Sequence, residues 1–231
     1  MTCTSYVFTP EPQVSLPVAG SAERFPVGRV FCVGRNYPWP GASDVKPDAP
    51  VFFMKPASAV VEAVGEVIYP PMTDEFCHEI EFVVAIGKAG AAIDQADALQ
   101  HVWGYAAGLD LTRRDIQVRV KSAGMAWEMA KVFEGAAPIS AVVPVTQVGH
   151  PEQGAVWLSI NGQERQRSTL QAQIFSVSEV ISLLSRLVPL RAGDLIMTGT
   201  PHGVGPLNPG DVISAGIDGV AELDMRVGSR P

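Results

Sequence analysis

The sequence His78-Glu79-Ile80-Glu81-Phe82-Val83-Val84-Ala85-Ile86 places two carboxylates inside an otherwise apolar run of strand-forming residues. Successive side chains of a strand point to opposite faces, so Glu79 and Glu81 share one face, whereas Ile80 and Phe82 share the other. The two carboxylates lie roughly 7 Å apart along the strand and repel each other unless a cation lies between them. Two interpretations are open from this stretch alone: a strand with one solvated face, or a site for a divalent cation.

A third carboxylate stands at the end of another apolar run. Asp110 follows the small and apolar residues 104–109, so we expect it where a buried strand ends. Glu79, Glu81 and Asp110 form the kind of donor set that Mg²⁺ prefers, and Mn²⁺ or Ca²⁺ could use the same oxygens. Zinc is the weaker choice, because no histidine and cysteine set has zinc spacing. The three carboxylates therefore predict a hard-cation site.

The composition is that of a globular protein, with 47% hydrophobic and 18% charged residues in a chain of 231. The net charge of -7 and the scattered basic residues argue against a nucleic-acid partner. Cys3, Cys32 and Cys77 form no CxxC pair, which favours a reducing compartment. No signal peptide or membrane-length apolar span is found. We therefore expect a cytoplasmic protein with no membrane partner, formed by an N-terminal extension (1–24) and a single catalytic domain (25–231).

Strand signals dominate the rest of the chain. We predict strands at residues 30–33, 51–56, 64–69 and 195–198, and a final pair joined at Asp218-Gly219. Asn161-Gly162 predicts a hairpin. Capping-box spacing predicts helix starts at Ser176 with Glu179, at Asp94 with Asp97, and at Thr112 with Asp115. Strands with few helices between them indicate a mainly β fold with a few helices (α+β) and argue against a Rossmann sheet.

Six motifs follow one another along the chain. They are Gly34-Arg35-Asn36-Tyr37, Phe53-Met54-Lys55-Pro56, His78-Glu79-Ile80-Glu81, Gly108-Leu109-Asp110-Leu111-Thr112-Arg113-Arg114-Asp115, Ala130-Lys131, and Thr198-Gly199-Thr200-Pro201-His202-Gly203-Val204-Gly205. In this order and spacing the chain resembles the fumarylacetoacetate hydrolase family, from about Phe25 to the C-terminus. Within the family, the segments 110–115, 127–131 and 149–151 are most similar to the bacterial fumarylpyruvate hydrolases of gentisate breakdown.

The resemblance implies a mixed β-sandwich roll, usually a homodimer, with Mg²⁺ or Mn²⁺ bound by the residues that match Glu79, Glu81 and Asp110. The substrate-binding residues that we assign on this basis are Arg35, Tyr37, Arg114, Gln117, Lys131 and Thr200. Arg114 and Gln117 are three residues apart on a predicted helix and so share a face. Arg114 can bind a carboxylate through two hydrogen bonds, and Lys131 supplies a point charge and a candidate catalytic group.

The implied reaction is hydrolysis of a C–C bond in a keto-acid substrate, an acylpyruvate, with fumarylpyruvate as the first choice. In relatives, a histidine and a glutamate on the lid after the Arg-Asn-Tyr motif activate the attacking water. Here residues 35–48 contain neither. A general base typically contributes about 10²–10⁴-fold, so some group must replace them. The candidates are Asp44 on the lid, His202 in the glycine-rich loop, and a hydroxide bound to the metal.

The incomplete lid leaves two alternatives open. One is a 2-keto acid (oxaloacetate) decarboxylase or a keto-enol isomerase that uses the same metal site, because neither reaction requires an attacking water. The other is a catalytically silent homologue that binds metal and keto acid without turnover.

Overall fold

The computed structural model describes residues 5–41 and 45–231, so Asp44, one of the candidate bases, lies outside the described residues. The described chain is built mainly from short strands. In chain order these are β1 (Ser15–Pro17), β2 (Arg24–Pro26), β3 (Val30–Gly34), β4 (Val51–Lys55), β5 (Val60–Glu62), β6 (Glu66–Val67), β7 (Phe76–His78), β8 (Ile80–Ile86), β9 (Val102–Leu109), β10 (Thr112–Arg113), β11 (Ala137–Ile139), β12 (Val143–Pro144), β13 (Ala155–Ile160), β14 (Gln163–Thr169), β15 (Leu195–Met197), β16 (Gly205–Pro206), β17 (Val212–Ile217) and β18 (Ala221–Val227).

The helices are few and short, which confirms the predicted fold class. They are α1 (Arg114–Ser122), α2 (Val145–Val148) and α3 (Val177–Leu187), together with 3₁₀ helices at Ala57–Ala59, Gln95–His101, Glu128–Ala130 and Leu170–Ala172. None of the helices in the described ranges is long and apolar enough to cross a membrane.

Two large sheets form the body of the fold. The first is eight-stranded, with the order β4-β3-β15-β8-β9-β11-β5 and β12 paired to β9. The second is five-stranded, with the order β14-β13-β17-β18-β6. A third sheet has three strands in the order β10-β7-β16, and its strand β7 ends directly before Glu79. Strands β1 and β2 pair with each other. Strand β8 is central in the first sheet, paired to β15 on one side and to β9 on the other.

The alternation read from the opening stretch separates two hydrophobic clusters. Ile80, Phe82, Val84 and Ile86 of β8 pack in the larger cluster with apolar side chains of the five-stranded sheet. Val83 and Ala85, on the other face of β8, pack in a smaller cluster with Leu16, Val18 and Phe25 from the N-terminal strands. Glu81 is on this second face, at the end of β8 farther from Ile86. The N-terminal strands thus pack on the same sheet face that carries the predicted metal site.

Several local predictions are confirmed. Asn161 and Gly162 have φ of 52° and 75° and join β13 to β14, as the hairpin signal required. Ser176 and Glu179 form a reciprocal capping box at the start of α3. The strands predicted at 30–33, 51–56 and 195–198 are β3, β4 and β15.

Two of the predicted helix caps are wrong. After Asp94 the chain forms a 3₁₀ helix without a side-chain cap, and Asp97 instead accepts a hydrogen bond from Gln100. Helix α1 begins at Arg114 without a side-chain cap. The Asp115 carboxylate accepts hydrogen bonds from the Thr73 hydroxyl and the Asp74 amide. It therefore does not cap the helix as the capping box predicted.

Candidate active site

Three buried carboxylates converge at the ends of β8 and β9. Glu79 precedes β8, Glu81 is its second residue, and Asp110 follows β9 directly. One ligand atom from each carboxylate lies within 4.8 Å of the others. The Asp110 amide donates to the Glu79 carbonyl over 2.8 Å, which holds the two strand ends in register. The structure therefore brings together the set that the sequence selected.

Two buried lysines neutralise part of this negative charge. Lys131 Nζ donates to Glu79 Oε2 over 2.8 Å and to Asp110 Oδ2 over 2.5 Å. Lys55 Nζ lies 2.8 Å from Asp110 Oδ1. Burial acts to raise the pKa of Asp110, but the charges of Lys131 and Lys55 outweigh it, and the pKa lies below its ordinary value. For Lys131, burial acts to lower the pKa, and the attraction of Asp110 and Glu79 raises it above its usual range.

Glu81 has a different environment from its two neighbours. No lysine or arginine in the described part of the chain forms an ion pair with it, and one oxygen accepts the Gly199 amide over 2.7 Å. Burial, followed by repulsion from Asp110 and Glu79, raises the pKa of Glu81 well above its ordinary value. A divalent cation among the three carboxylates would relieve this repulsion.

Helix α1 places two predicted substrate-binding residues, Arg114 and Gln117, beside the carboxylates. Arg114 Nη2 donates to Glu79 Oε1 over 2.9 Å, and its Nη1 donates to Gln117 Oε1 over 2.5 Å. The pair is three residues apart on the first turn of α1, so both side chains face the same way. The predicted shared face of Arg114 and Gln117 is therefore present in the structure.

The glycine-rich loop after β15 completes the site from the opposite side. Gly199 has φ of 97°, and a Cβ there would lie 2.8 Å from Asn36 Cβ, so the turn that presents its amide to Glu81 requires glycine. Thr200 Oγ1 accepts a hydrogen bond from Gln166 Nε2 over 2.9 Å. Asn36 donates to the Thr198 carbonyl, which fixes this loop beside the Arg35 motif.

These groups open into one cavity of about 720 Å³. The predicted site residues that line it are Arg35, Glu79, Glu81, Asp110, Arg114, Gln117, Lys131 and Thr200, and the further lining side chains include Trp39, Phe53, Lys121 and Trp127. The cavity thus joins the carboxylates at its inner end to an aromatic and basic wall.

Two predicted site residues do not line this cavity. Tyr37 is buried, and burial raises the pKa of its hydroxyl well above its usual range. His202 is exposed, and its ring meets the edge of Trp39 at a centroid distance of 5.7 Å. His202 thus contacts a residue that lines the cavity but does not line it itself.

Sequence reasoning missed two residues that organise the site. Lys55 is the last residue of β4, and its side chain is completely buried against Asp110. A lysine at the end of an apolar strand, before a proline, was the feature of the sequence that could have indicated this role. Gln166 is buried in the otherwise exposed strand β14, where it accepts the Ile80 amide, contacts His78 Nδ1 and donates to Thr200. Nothing in the local sequence distinguishes Gln166 from the neighbouring polar residues.

The donor set fits a hard divalent cation. Its oxygens belong to three buried carboxylates, and one of these, Glu81, has no cationic partner among the described residues. Mg²⁺ and Mn²⁺ prefer such oxygen ligands, and the basic groups beside them suit an anionic substrate. Fold and site together define a metal-dependent enzyme that acts on a small molecule.

The chain belongs to the fumarylacetoacetate hydrolase family: residues 29–228 match the family described as fumarylacetoacetate (FAA) hydrolase C-terminal. A mouse relative, oxaloacetate tautomerase FAHD1, mitochondrial (Mus musculus), is 41% identical over 204 residues, covering 86% of this chain and 90% of the relative. Fumarylpyruvate hydrolase from Ralstonia sp. is 42% identical over 177 residues, covering 77% and 92%.

A solved structure has nearly the same fold over its whole length. It is the crystal structure of fumarylpyruvate hydrolase from Pseudomonas aeruginosa in complex with Mn²⁺ and pyruvate, with a TM-score of 0.94 and 46% identity, covering 98% of this chain and 100% of the other. The recognition of the family from six motifs is confirmed.

Proposed function

We propose that this protein hydrolyses the C–C bond of an acylpyruvate, with fumarylpyruvate as the first substrate and fumarate and pyruvate as products. The observation that carries the proposal is the cavity itself, in which Glu79, Glu81 and Asp110 adjoin Lys131 and Arg114. The relatives named fumarylpyruvate hydrolase, one of them solved with Mn²⁺ and pyruvate, support it.

Glu79, Glu81 and Asp110 would hold Mg²⁺ or Mn²⁺. The bound ion supplies Lewis-acid stabilisation of negative charge on the keto oxygen. Arg114, Gln117, Lys131 and Thr200 would bind and orient the pyruvoyl oxygens beside it. Water adds to the other carbonyl, the C–C bond breaks, and its electron pair passes to the pyruvate methylene, which then takes up a proton.

The attacking water must give its proton to a base. His202 and Asp44 are the candidates within the chain, and Arg35 and Tyr37 complete the substrate assignment. His202→Ala should lower kcat and alter the pH profile if His202 is the base. An unchanged rate and pH profile for this variant would exclude it.

A second candidate function is keto-enol isomerisation of oxaloacetate. Residues 35–48 contain neither histidine nor glutamate, and tautomerisation needs no attacking water. The 41% identity to a mouse oxaloacetate tautomerase favours the same alternative. It keeps the metal site and the basic residues of the first proposal unchanged.

One assay separates the two functions. The protein is loaded with Mg²⁺ or Mn²⁺ and given fumarylpyruvate, acetylpyruvate and oxaloacetate, and the products are identified. Fumarate with pyruvate supports the hydrolase, and faster equilibration of the oxaloacetate tautomers without hydrolysis supports the isomerase. Tight oxalate binding without turnover indicates a silent binding protein, and CO₂ release indicates a decarboxylase.

Glu81→Ala is the control variant for this assay, and it should no longer bind the metal. Metal-dependent activity that survives this substitution would refute the site.

Three further assignments belong to the same proposal. They are a homodimeric assembly, a cytoplasmic location and a role in gentisate breakdown. Size-exclusion chromatography with light scattering tests the first.

A further inference from the structure

Two cations that line the cavity have no ion-pair partner among the described residues. Arg35 and Lys121 both line it, and neither forms a salt bridge with any described residue. Lys121 Nζ lies over the ring of Trp127, 4.4 Å from its centroid. By contrast, Arg114 and Lys131 are already bound to the carboxylates. The cavity therefore contains two basic groups, Arg35 and Lys121, in addition to those that pair with the carboxylates.

Lys121 lies on the same helix face as the predicted pyruvoyl contacts. Arg114, Gln117 and Lys121 of α1 follow one another at helical spacing, and all three line the cavity. Seven residues of helix rise separate the first from the last by about 10 Å. Arg114 adjoins the carboxylates, whereas Lys121 is at the exposed rim. The helix thus presents basic groups at both ends of the cavity.

The charges along the cavity favour an anion. Burial lowers the pKa of Lys121, and the nearby charges of Lys131, Arg114 and Arg35 lower it further. These four cations line the same cavity as only three carboxylates among the described residues, before any divalent ion is added. A second negative charge on the ligand, near Lys121 and Arg35, would relieve their mutual repulsion.

The wall between the two ends is aromatic. Phe53 and Trp127 contact each other edge to face with ring centroids 4.8 Å apart, and both line the cavity together with Trp39. Flat apolar walls suit a planar conjugated segment between the two charged ends of a ligand.

We propose that Lys121, assisted by Arg35, binds a carboxylate at the far end of the acyl group, so that the site selects dicarboxylate acylpyruvates over uncharged ones. This inference rests on the proposed function, since it extends that site to the other end of its substrate. It makes Lys121 a specificity-determining residue.

Kinetics on two substrates test the inference. The Mn²⁺-loaded protein is given fumarylpyruvate, which ends in a carboxylate, and acetylpyruvate, which ends in a methyl group. Lys121→Met should lower the ratio of kcat/KM for fumarylpyruvate to that for acetylpyruvate by at least about tenfold, the effect of losing one hydrogen bond between charged groups. Arg35→Met should lower it in the same direction. Arg119→Met, on the exposed part of the same helix, should leave the ratio unchanged.

Equilibrium binding keeps the test independent of turnover. Fumarate and crotonate differ by a carboxylate in place of a methyl group, and their dissociation constants can be measured calorimetrically on the Mn²⁺-loaded protein. The unmodified chain should bind fumarate more tightly, and Lys121→Met should remove most of that difference. An unchanged preference in the variant, or no preference in the unmodified chain, would overturn the inference. Failure to hydrolyse either acylpyruvate would instead count against the proposed function.

Discussion

At the scale of single residues, the position of Asp110 depends on Lys55. The Lys55 ammonium is fully buried and lies 2.8 Å from Asp110 Oδ1. It also donates to the backbone carbonyls of Leu111 and Lys131. Three oxygen partners offset the cost of burying the Lys55 ammonium. Without Lys55, the buried Asp110 carboxylate would lose one of its two cationic partners. Lys55 thus positions Asp110, a proposed metal ligand, without lining the cavity itself.

Lys55→Met should destabilise the metal-free protein. Removing one member of a buried ion pair costs roughly 3–5 kcal/mol, because the remaining charge stays buried. Urea unfolding in the presence of EDTA measures the loss. Lys88→Met, at an exposed lysine, is the control and should change the free energy of unfolding by no more than about 0.5 kcal/mol. Equal stability of the two variants would show that Lys55 does not support Asp110.

At the scale of elements, helix α1 orients the basic side chains of the cavity, and its first turn is tied to the segment before β7. The Arg114 amide donates to the Glu75 carbonyl over 2.8 Å. The Asp115 carboxylate accepts from Thr73 Oγ1 over 2.6 Å and from the Asp74 amide over 3.1 Å. This attachment sets where Gln117 and Lys121 point, so the start of the helix governs the geometry of both.

The attachment of α1 should be sensitive to acid. Burial acts to raise the pKa of Asp115, but the hydrogen bonds from Thr73, Asp74 and Ile116 outweigh it and hold the pKa below its ordinary value of 3.8. The stabilisation is therefore present above pH 3.8 and is lost as the pH falls through the lower folded-state pKa.

Urea unfolding of the unmodified chain and of Asp115→Asn tests this dependence. The difference in free energy of unfolding should be constant near neutral pH and should shrink below pH 3.8. A difference that stays the same at every pH would show that the Asp115 charge does not contribute.

At the scale of the whole molecule, the segment predicted as an N-terminal extension packs against the central sheet. Leu16 is fully buried in the smaller hydrophobic cluster, together with Val83 and Met197 of β8 and β15. The division into residues 1–24 and 25–231 stays a prediction about domains. The strands β1 and β2 pack on the sheet face on which Glu81 lies.

Leu16→Ala should destabilise the whole molecule. A leucine-to-alanine change in a close-packed core costs about 2–5 kcal/mol, because it removes buried apolar surface and leaves a cavity. The free energy of unfolding in urea measures this cost. Val7→Ala, at a residue of the same segment that is 96% exposed, should have almost no effect. If Leu16→Ala were equally silent, the N-terminal strands would not contribute to the core.

The sequence by itself determined the local features. Alternation along residues 78–86 assigned Glu79 and Glu81 to one face of the strand and Ile80 and Phe82 to the other. Asn161-Gly162 specified the hairpin, and Ser176 with Glu179 specified the start of α3. Each depends on residues a few positions apart, which backbone geometry relates in a fixed way. The two wrong helix caps have the same spacing, but their carboxylates are bound by other side chains or amides.

Only the tertiary structure decided which side chains pair with the buried carboxylates. Lys131 is 52 residues from Glu79, and Gln166 is 34 residues from Thr200, so no local period relates them. Six motifs indicated which residues belong to one site. They did not indicate that Lys55 contacts Asp110, or that Lys121, at the rim of the cavity, has no ion-pair partner in the described part of the chain. Ion pairing in a buried site depends on distance in space, and the packing of the sheets sets that distance.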